Sequence, residues 1–328
     1  MSRSRSVLLL AAVSLAGGLS IAPGAAYAAD TTTQLSAAQM AAALKPVATA
    51  STAAAEGGWR ADVAITGDSV PGTASYVVDP SHGIAYEQMR IAGSQRAGYA
   101  IAGKGFYRTL PDRTSRAAVK MMGRPTVKYV FTPDSTLTLA KHLKDDAPTP
   151  AAVLSDDIDH AGTKTVHDDG SVDYVQAVDG QTVTLHVSPA GTLSGARAEA
   201  DSFAMTLTYT YAPQTITPPA ANSVIGEAQL KRGVWYVQMP AVVKQISYAG
   251  AAEARSAARG STVKVASLRK AVRRVGSMFN TKAQLKMINV KDVRRGVRVS
   301  ATNPWTHETV SYVITASGKK AAVSRDQS

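Results

Sequence analysis

The sequence predicts an α+β protein in two units: a long antiparallel meander interrupted by short helices, then a smaller, strongly basic α+β unit. Three observations carry this reading. Apolar and polar residues alternate through most of residues 59–101 and 158–211, the period of half-buried strands. The spacing turns helical near the start, in the middle and after residue 249. Charge also changes sign along the chain: residues 30–229 hold 15 Lys+Arg against 20 Asp+Glu, whereas residues 230–328 hold 19 against 4. Such a split argues for two units with different partners.

Taken in order, Met1-Ser-Arg-Ser-Arg supplies two cations, Val7 to Ala16 an apolar run, and Ala26-Tyr27-Ala28 a small-x-small cleavage site. That predicts a secretory signal over residues 1–29, its apolar core too short to span a bilayer. No later run reaches 18 continuous apolar residues. The chain has no cysteine, which removes disulfides, thiolate catalysis, cysteine-ligated zinc and the modified cysteine of a lipoprotein signal. The expected product is secreted or associated with the cell envelope, with no lipid anchor and no transmembrane helix in the mature protein.

Gln34 to Ala55 reads as an opening helix with Ser36 as N-cap and Leu35, Met40 and Leu44 on one side; Pro46 puts its continuity in question. The period then becomes two. Trp59, Ala61, Val63 and Ile65 alternate with Arg60, Asp62, Ala64 and Thr66, and Gly67-Asp68-Ser69 turns the chain. Thr73 to Val78, Ala85 to Ile91 and a strand holding Tyr99 and Ile101 complete a four-strand meander. Residues 112–156 are an insertion of short helices and loops, with Arg113 to Met122 and Ser135 to Lys144 helical. Strands resume at Ile158 to Val166, Val172 to Val178, Thr182 to Val187, Leu193 to Glu199 and Phe203 to Tyr211. The last alternates without exception, so one face is buried and one wet.

Pro213 and Pro218-Pro219 close this part. The expected division is a signal at 1–29, a first domain at 30–222, a linker at 223–232 and a basic α+β domain at 233–328. In the last, Ala249 to Arg259 is helical, and Ser267 to Phe279 sets Leu268, Val272, Val275 and Phe279 on one stripe. Strands follow at Ala283 to Val293, Gly296 to Ala301, Thr309 to Ala316 and Ala321 to Ser324.

The opening helix from Leu35, the segment Gly57 to Gly67, and the tail Met205-Thr-Leu-Thr-Tyr-Thr-Tyr-Ala-Pro-Gln-Thr-Ile-Thr-Pro-Pro together resemble the LolA-like half-barrel superfamily, in particular its LppX and LprG type lipid-binding proteins. The resemblance covers residues 34–220. It implies a curved antiparallel half-barrel sheet wrapped round helices, with an apolar cavity for acyl chains between them. The lipobox cysteine of the LppX and LprG type is missing. The appended basic domain is similar in domain order to the two-domain RseB type, an envelope stress sensor.

The inward apolar positions are Trp59, Val63, Ile65, Met89, Ile91, Tyr99, Ile101, Tyr174, Leu185, Phe203, Met205, Leu207 and Tyr209. In a half-barrel these line a lipid pocket, with methionine as an adaptable wall; periodicity alone does not separate a lined cavity from a filled core. Lys264, Arg269, Lys270, Arg273, Arg274, Arg294, Arg295 and Arg298, with Lys282, Lys286 and Lys291, form a basic stripe suited to a polyanion. Only Phe279 interrupts it, so base-stacking recognition of nucleic acid is not expected.

Asp156, Asp157, Asp159, His160, His167, Asp168 and Asp169 crowd together, but their spacing fits no calcium loop, and Asp168-Asp169-Gly170 is turn chemistry. Neither Gly-x-Ser-x-Gly nor His-Glu-x-x-His occurs. The sequence therefore predicts no catalytic residue, no metal site and no cofactor. It points to an exported, non-catalytic binder of a hydrophobic or acylated ligand whose basic domain contacts an anionic envelope polymer or membrane surface. The alternative is an envelope sensor acting through a protein partner.

Overall fold

The computed structural model describes residues 30–67, 71–155 and 160–326. The expected signal at residues 1–29, the expected turn at Asp68-Ser69, and Asp156, Asp157 and Asp159 lie outside the described residues. Two compact units emerge, one from residues 30–108 and 133–218, the other from 109–132 and 219–328.

The first unit opens with strand β1 (Thr31–Leu35) and helix α1 (Ala37–Ala55). The Ser36 hydroxyl accepts from the Gln39 N–H, and Gln39 Oε1 accepts from the Ser36 N–H at 2.8 Å. This reciprocal cap starts the helix, which continues through Pro46. Strands β2 (Trp59–Gly67), β3 (Gly72–Asp79), β4 (Ile84–Ile91), β5 (Ser94–Ile101) and β6 (Gly105–Thr109) form the first meander. Helix α2 (Arg113–Met121) and strand β7 (Tyr129–Pro133) follow in sequence but fall almost entirely in the second unit. The chain returns with α3 (Leu139–Asp146), α4 (Pro150–Ser155), β8 (Gly162–Val166), β9 (Val172–Val178), β10 (Gln181–Val187), β11 (Leu193–Ala200) and β12 (Phe203–Tyr211).

Strand order is β1-β8-β9-β10-β11-β12-β2-β3-β4-β5-β6, antiparallel at every step. From β9 to β5 such a sheet is about 34 Å wide at ordinary strand spacing, while a helix is about 10–12 Å across. Yet Tyr174 of β9, Ala100 of β5, and Met40 and Leu44 of α1 share one core. The sheet curves round its helices to achieve this, a half-barrel.

The second unit continues with β13 (Val224–Gly226), α5 (Glu227–Val237), α6 (Met239–Ala258) and α7 (Val265–Ala283). Strands β14 (Asn289–Val293), β15 (Gly296–Thr302), β16 (Thr309–Ser317) and β17 (Lys320–Arg325) pair in that order as a separate antiparallel sheet. Helices α6 and α7 cover one face of it, burying Val243, Ile246, Leu268 and Val272 against Val297, Val299 and Ile314. Gly250 permits the helices to meet closely, since a Cβ there would lie 3.0 Å from Val272 Cα.

Residues 223–232 are not a linker. Val224 and Ile225 pair in parallel with Tyr129 and Val130, and α5 begins at Glu227. Leu230, Gly233 and Tyr236 recur at helical spacing and are buried, a pattern that the polar residues between them disguise. Ala118 and Val119 of α2 share a core with Ile225 and Leu230, so the insertion read at 112–156 is divided between the units. Recounted on the units, the first holds 10 Lys+Arg against 18 Asp+Glu, a net of −8. That count leaves out residues 1–29; the second unit holds 24 against 6, a net of +18.

Candidate functional site

On the face of the large sheet that meets α1, burial follows the strands. Along β2, Trp59, Ala61 and Val63 are buried and Ile65 is half-buried; along β12, Tyr209 and Leu207 are buried while Met205 and Phe203 are half-buried. The polar partners Arg60, Asp62, Thr206 and Thr208 lie exposed on the other face, the register that alternation requires.

The buried end is a filled core. Trp59 meets the edge of Tyr209 with ring centroids 6.2 Å apart. The Tyr209 hydroxyl donates to the Pro148 carbonyl at 2.6 Å, and the Tyr211 hydroxyl to the Leu193 carbonyl at 2.8 Å. Burial pushes the Tyr209 phenol far up and that of Tyr211 up to about 12, so both remain neutral donors. Ser51 Oγ accepts the Leu193 N–H at 2.8 Å, binding α1 to the sheet. Tyr174 and Leu185 are buried in the same core.

Apolar character does not stop where the core stops. Register places Val183, Ala198, Met205, Ile65, Gly72 and Ile91 in one cross-strand row at the less-buried end. Each is half-buried. In the neighbouring row Val63, Ala74 and Met89 run from buried to 38% exposed. Gly72, Ala74 and Ala198 are small, so they leave room above the sheet between larger side chains. Of these positions, Val183, Ala74 and Ala198 escape a reading of single strands; the alternation Val183, Leu185, Val187 is the signal for the first.

Tyr99 and Ile101 are not on this face. Ile91 pairs with Ser94 across a two-residue turn whose Ala92 and Gly93 have φ of 49° and 75°, the geometry of a type I′ hairpin. That register sends Gly98 and Ala100 inward and Tyr99 outward, where its ring lies 4.8 Å from Tyr86. The run Ala97-Gly98-Tyr99-Ala100-Ile101 has no polar partner to mark its faces, and the turn decides instead.

The opposite face of β12, β2, β3 and β4 carries a concavity of about 400 Å³ lined by polar side chains, among them Arg60, Asp62, Ser75, Gln88 and Arg90. Arg60 donates to Asp62 through two bonds of 2.7 and 2.8 Å, and this contact lowers the Asp62 carboxyl pKa. Val63, Ala64 and Ala74 add apolar surface to the lining, but its charged groups would lose water beneath an acyl chain.

In the second unit the basic positions separate. Arg269 donates to the Val293 and Gly296 carbonyls, so it holds the β14–β15 hairpin. Arg273 pairs with Asp292 and Arg274 with Glu253, both at 2.6 Å. Lys264 and Lys270 are exposed on or beside α7, and Arg294 and Arg295 at the hairpin tip. Register puts Arg298, paired with Asp326 at 2.7 Å, on the sheet face away from α6 and α7. The cations thus occupy two faces rather than one stripe.

No protein-family model matches the chain, and no curated protein matches it. Several solved structures are similar, two mycobacterial ones among them. The Mycobacterium tuberculosis lipoprotein LppX is 12% identical, with a TM-score of 0.31 over 54% of this chain and 97% of its own. LprF from Mycobacterium bovis is 13% identical, with a TM-score of 0.29 over 56% and 97%.

Among the described residues no cluster of His, Asp or Glu is arranged to hold a metal, and no helix is long and apolar enough to cross a membrane. Asp169 Oδ1 accepts the Ser171 N–H and closes the turn. Asp79, Ser81 and His82 lie within 3.0 Å of one another, but His82 faces both partners through the same Nδ1. A proton relay needs the two ring nitrogens on different partners, so this trio is a turn.

Proposed function

We propose that the first unit binds a hydrophobic ligand, an acyl chain, on the less-buried end of its inner face, and that the second unit contacts anionic envelope components. The supporting observation is the row from Val183 to Ile91: apolar at every side chain, yet half-buried, while the polar positions of the same strands, Glu87 excepted, lie mostly on the opposite face. It crosses six strands, about 24 Å at ordinary spacing, enough for an extended long acyl chain. Each methylene taken from water contributes about 0.8 kcal/mol, so even partial coverage gives useful affinity. The resemblance to lipid-binding half-barrels points the same way. For the second unit, the support is its net charge of +18, which attracts phosphate-bearing surfaces. The proposed action is carriage or presentation, without chemistry on the ligand.

Native mass spectrometry of residues 30–328 purified from the producing cell, with a fluorescent fatty-acid titration, tests the reading. Bound lipid is expected, with Ile65→Asp and Met205→Asp abolishing it in a folded protein. If the wild type neither carries lipid nor binds the probe, the reading falls and the sensor with a protein partner takes its place.

A further inference from the structure

The second unit's two large exposed hydrophobic side chains, among the described residues, are both on its helical layer: Met278 of α7, 64% exposed, and Tyr248 of α6, 49% exposed. Each has cationic neighbours. Lys270, Arg274, Met278 and Lys282 are spaced four apart and make one ridge along α7. Lys244 precedes Tyr248 by one turn of α6. The only acid on either helix is Glu253, already paired with Arg274 at 2.6 Å. The uncovered face of the small sheet differs: between Lys291, Arg298 and Lys320 it carries mostly Ser, Thr, Val and Ala.

A polyanionic polymer uses the cations and gains nothing from an apolar tip set among them. An anionic bilayer uses both, phosphates meeting the cations while the tip reaches the acyl boundary. We propose that the outer faces of α6 and α7 dock on an anionic lipid bilayer, with Met278 and Tyr248 as the inserted tips. This rests on the anionic-contact reading above and narrows it to one class of surface. Charge attracts the unit, and the two tips discriminate a membrane from a dissolved polymer.

Because the chain has no cysteine, Met278→Cys in residues 30–328 takes a single environment-sensitive nitrobenzoxadiazole label. Ser324→Cys, exposed on the far side of the small sheet, is the control. The probes are phosphatidylglycerol–phosphatidylcholine vesicles and soluble poly(glycerol phosphate). Expected is brightening and a blue shift at 278 with vesicles, none at 278 with polymer, and none at 324 with either. The unlabelled double variant Tyr248→Ala, Met278→Ala should bind vesicles about tenfold more weakly and polymer as the wild type does. Vesicle binding without a change at 278, or equal loss toward both probes, overturns the proposal. Polymer binding without vesicle binding overturns it and leaves the broader reading standing; binding to neither overturns both.

Discussion

Leu207 and Met205 are two residues apart on one strand and face the same way, yet they should behave oppositely. Leu207 is 4% exposed and sits opposite Val63 and Ala196. Truncation to alanine removes three carbons, about 2.4 kcal/mol at 0.8 per methylene, and leaves a cavity that adds about 1 kcal/mol more. Met205 is half-buried at the less-buried end, so Met205→Ala should cost only about 1 kcal/mol. Urea unfolding followed by the fluorescence of Trp59, the first unit's single tryptophan, separates the two. With an m-value of about 2 kcal/mol/M, the midpoint should fall by about 1.5–2 M for Leu207→Ala and about 0.5 M for Met205→Ala. Trp235→Phe and Trp305→Phe in the background remove the second unit's signal. Fatty-acid affinity should show the reverse order, Met205→Ala losing more than Leu207→Ala under native conditions. Equal destabilisation would mean that Met205 is packed core, and the apolar row would then be no binding surface.

Ser51→Ala strips the buried Leu193 N–H of its acceptor and should cost about 1–3 kcal/mol, whereas Tyr209→Phe, which removes the bond to the Pro148 carbonyl, should cost about 1–2; both are read from the same unfolding curves, and a neutral Ser51→Ala would refute the tie between α1 and β11. Contact with Asp30, then with Asp173, raises the His167 pKa above its ordinary value. The folded-state pKa therefore exceeds the unfolded one, and the stabilisation is complete below about pH 6.5 and lost as pH rises through the folded value. Amide protection in β1, taken relative to β12, should fall as pH rises above about 6.5, and His167→Asn should flatten that dependence; a ratio already flat in the wild type would refute the coupling. Gly250→Val places methyls against the Val272 backbone and should lower the second unit's thermal midpoint while the first unit's transition holds; an unchanged second transition would show that the helices separate at no cost.

Strands are legible wherever one face is wet. Thr206, Thr208 and Thr210 mark the wet face of Phe203 to Tyr211, and its register follows from that alone. Tyr99 and Ile101 are illegible for the opposite reason: their strand has three polar residues in a row at Ser94-Gln95-Arg96 and none after, so no alternation marks its faces, and its facing is set by two left-handed residues at the preceding turn, one of them an alanine. The same limit applies to the proposed ligand surface. Alternation groups Leu207 with Met205, and only the reach of α1, from Met40 to Ser51, divides core from shelf.

The unit boundary fails on another assumption, that neighbours in sequence stay neighbours in space. Residues 109–132 carry five cations, Arg113, Arg116, Lys120, Arg124 and Lys128, against Asp112 alone. Their composition already belongs with the basic unit, although about a hundred residues of acidic chain intervene. The apolar stripe explains why they join it: Ala118 and Val119 cover Leu230 and Ile225, and Gly233 is bare because a Cβ there would meet Ala118 at 3.2 Å. Asn303 adds a link from the small sheet, its Nδ2 lying 3.0 Å from Met121 Sδ. A fragment cut at residue 230 would therefore lose β13, the opening of α5 and the helix that covers it. The charge that defines the second unit and the packing that folds it come from the same two stretches of chain, so the anion binding proposed for it belongs to the assembled unit rather than to its last hundred residues.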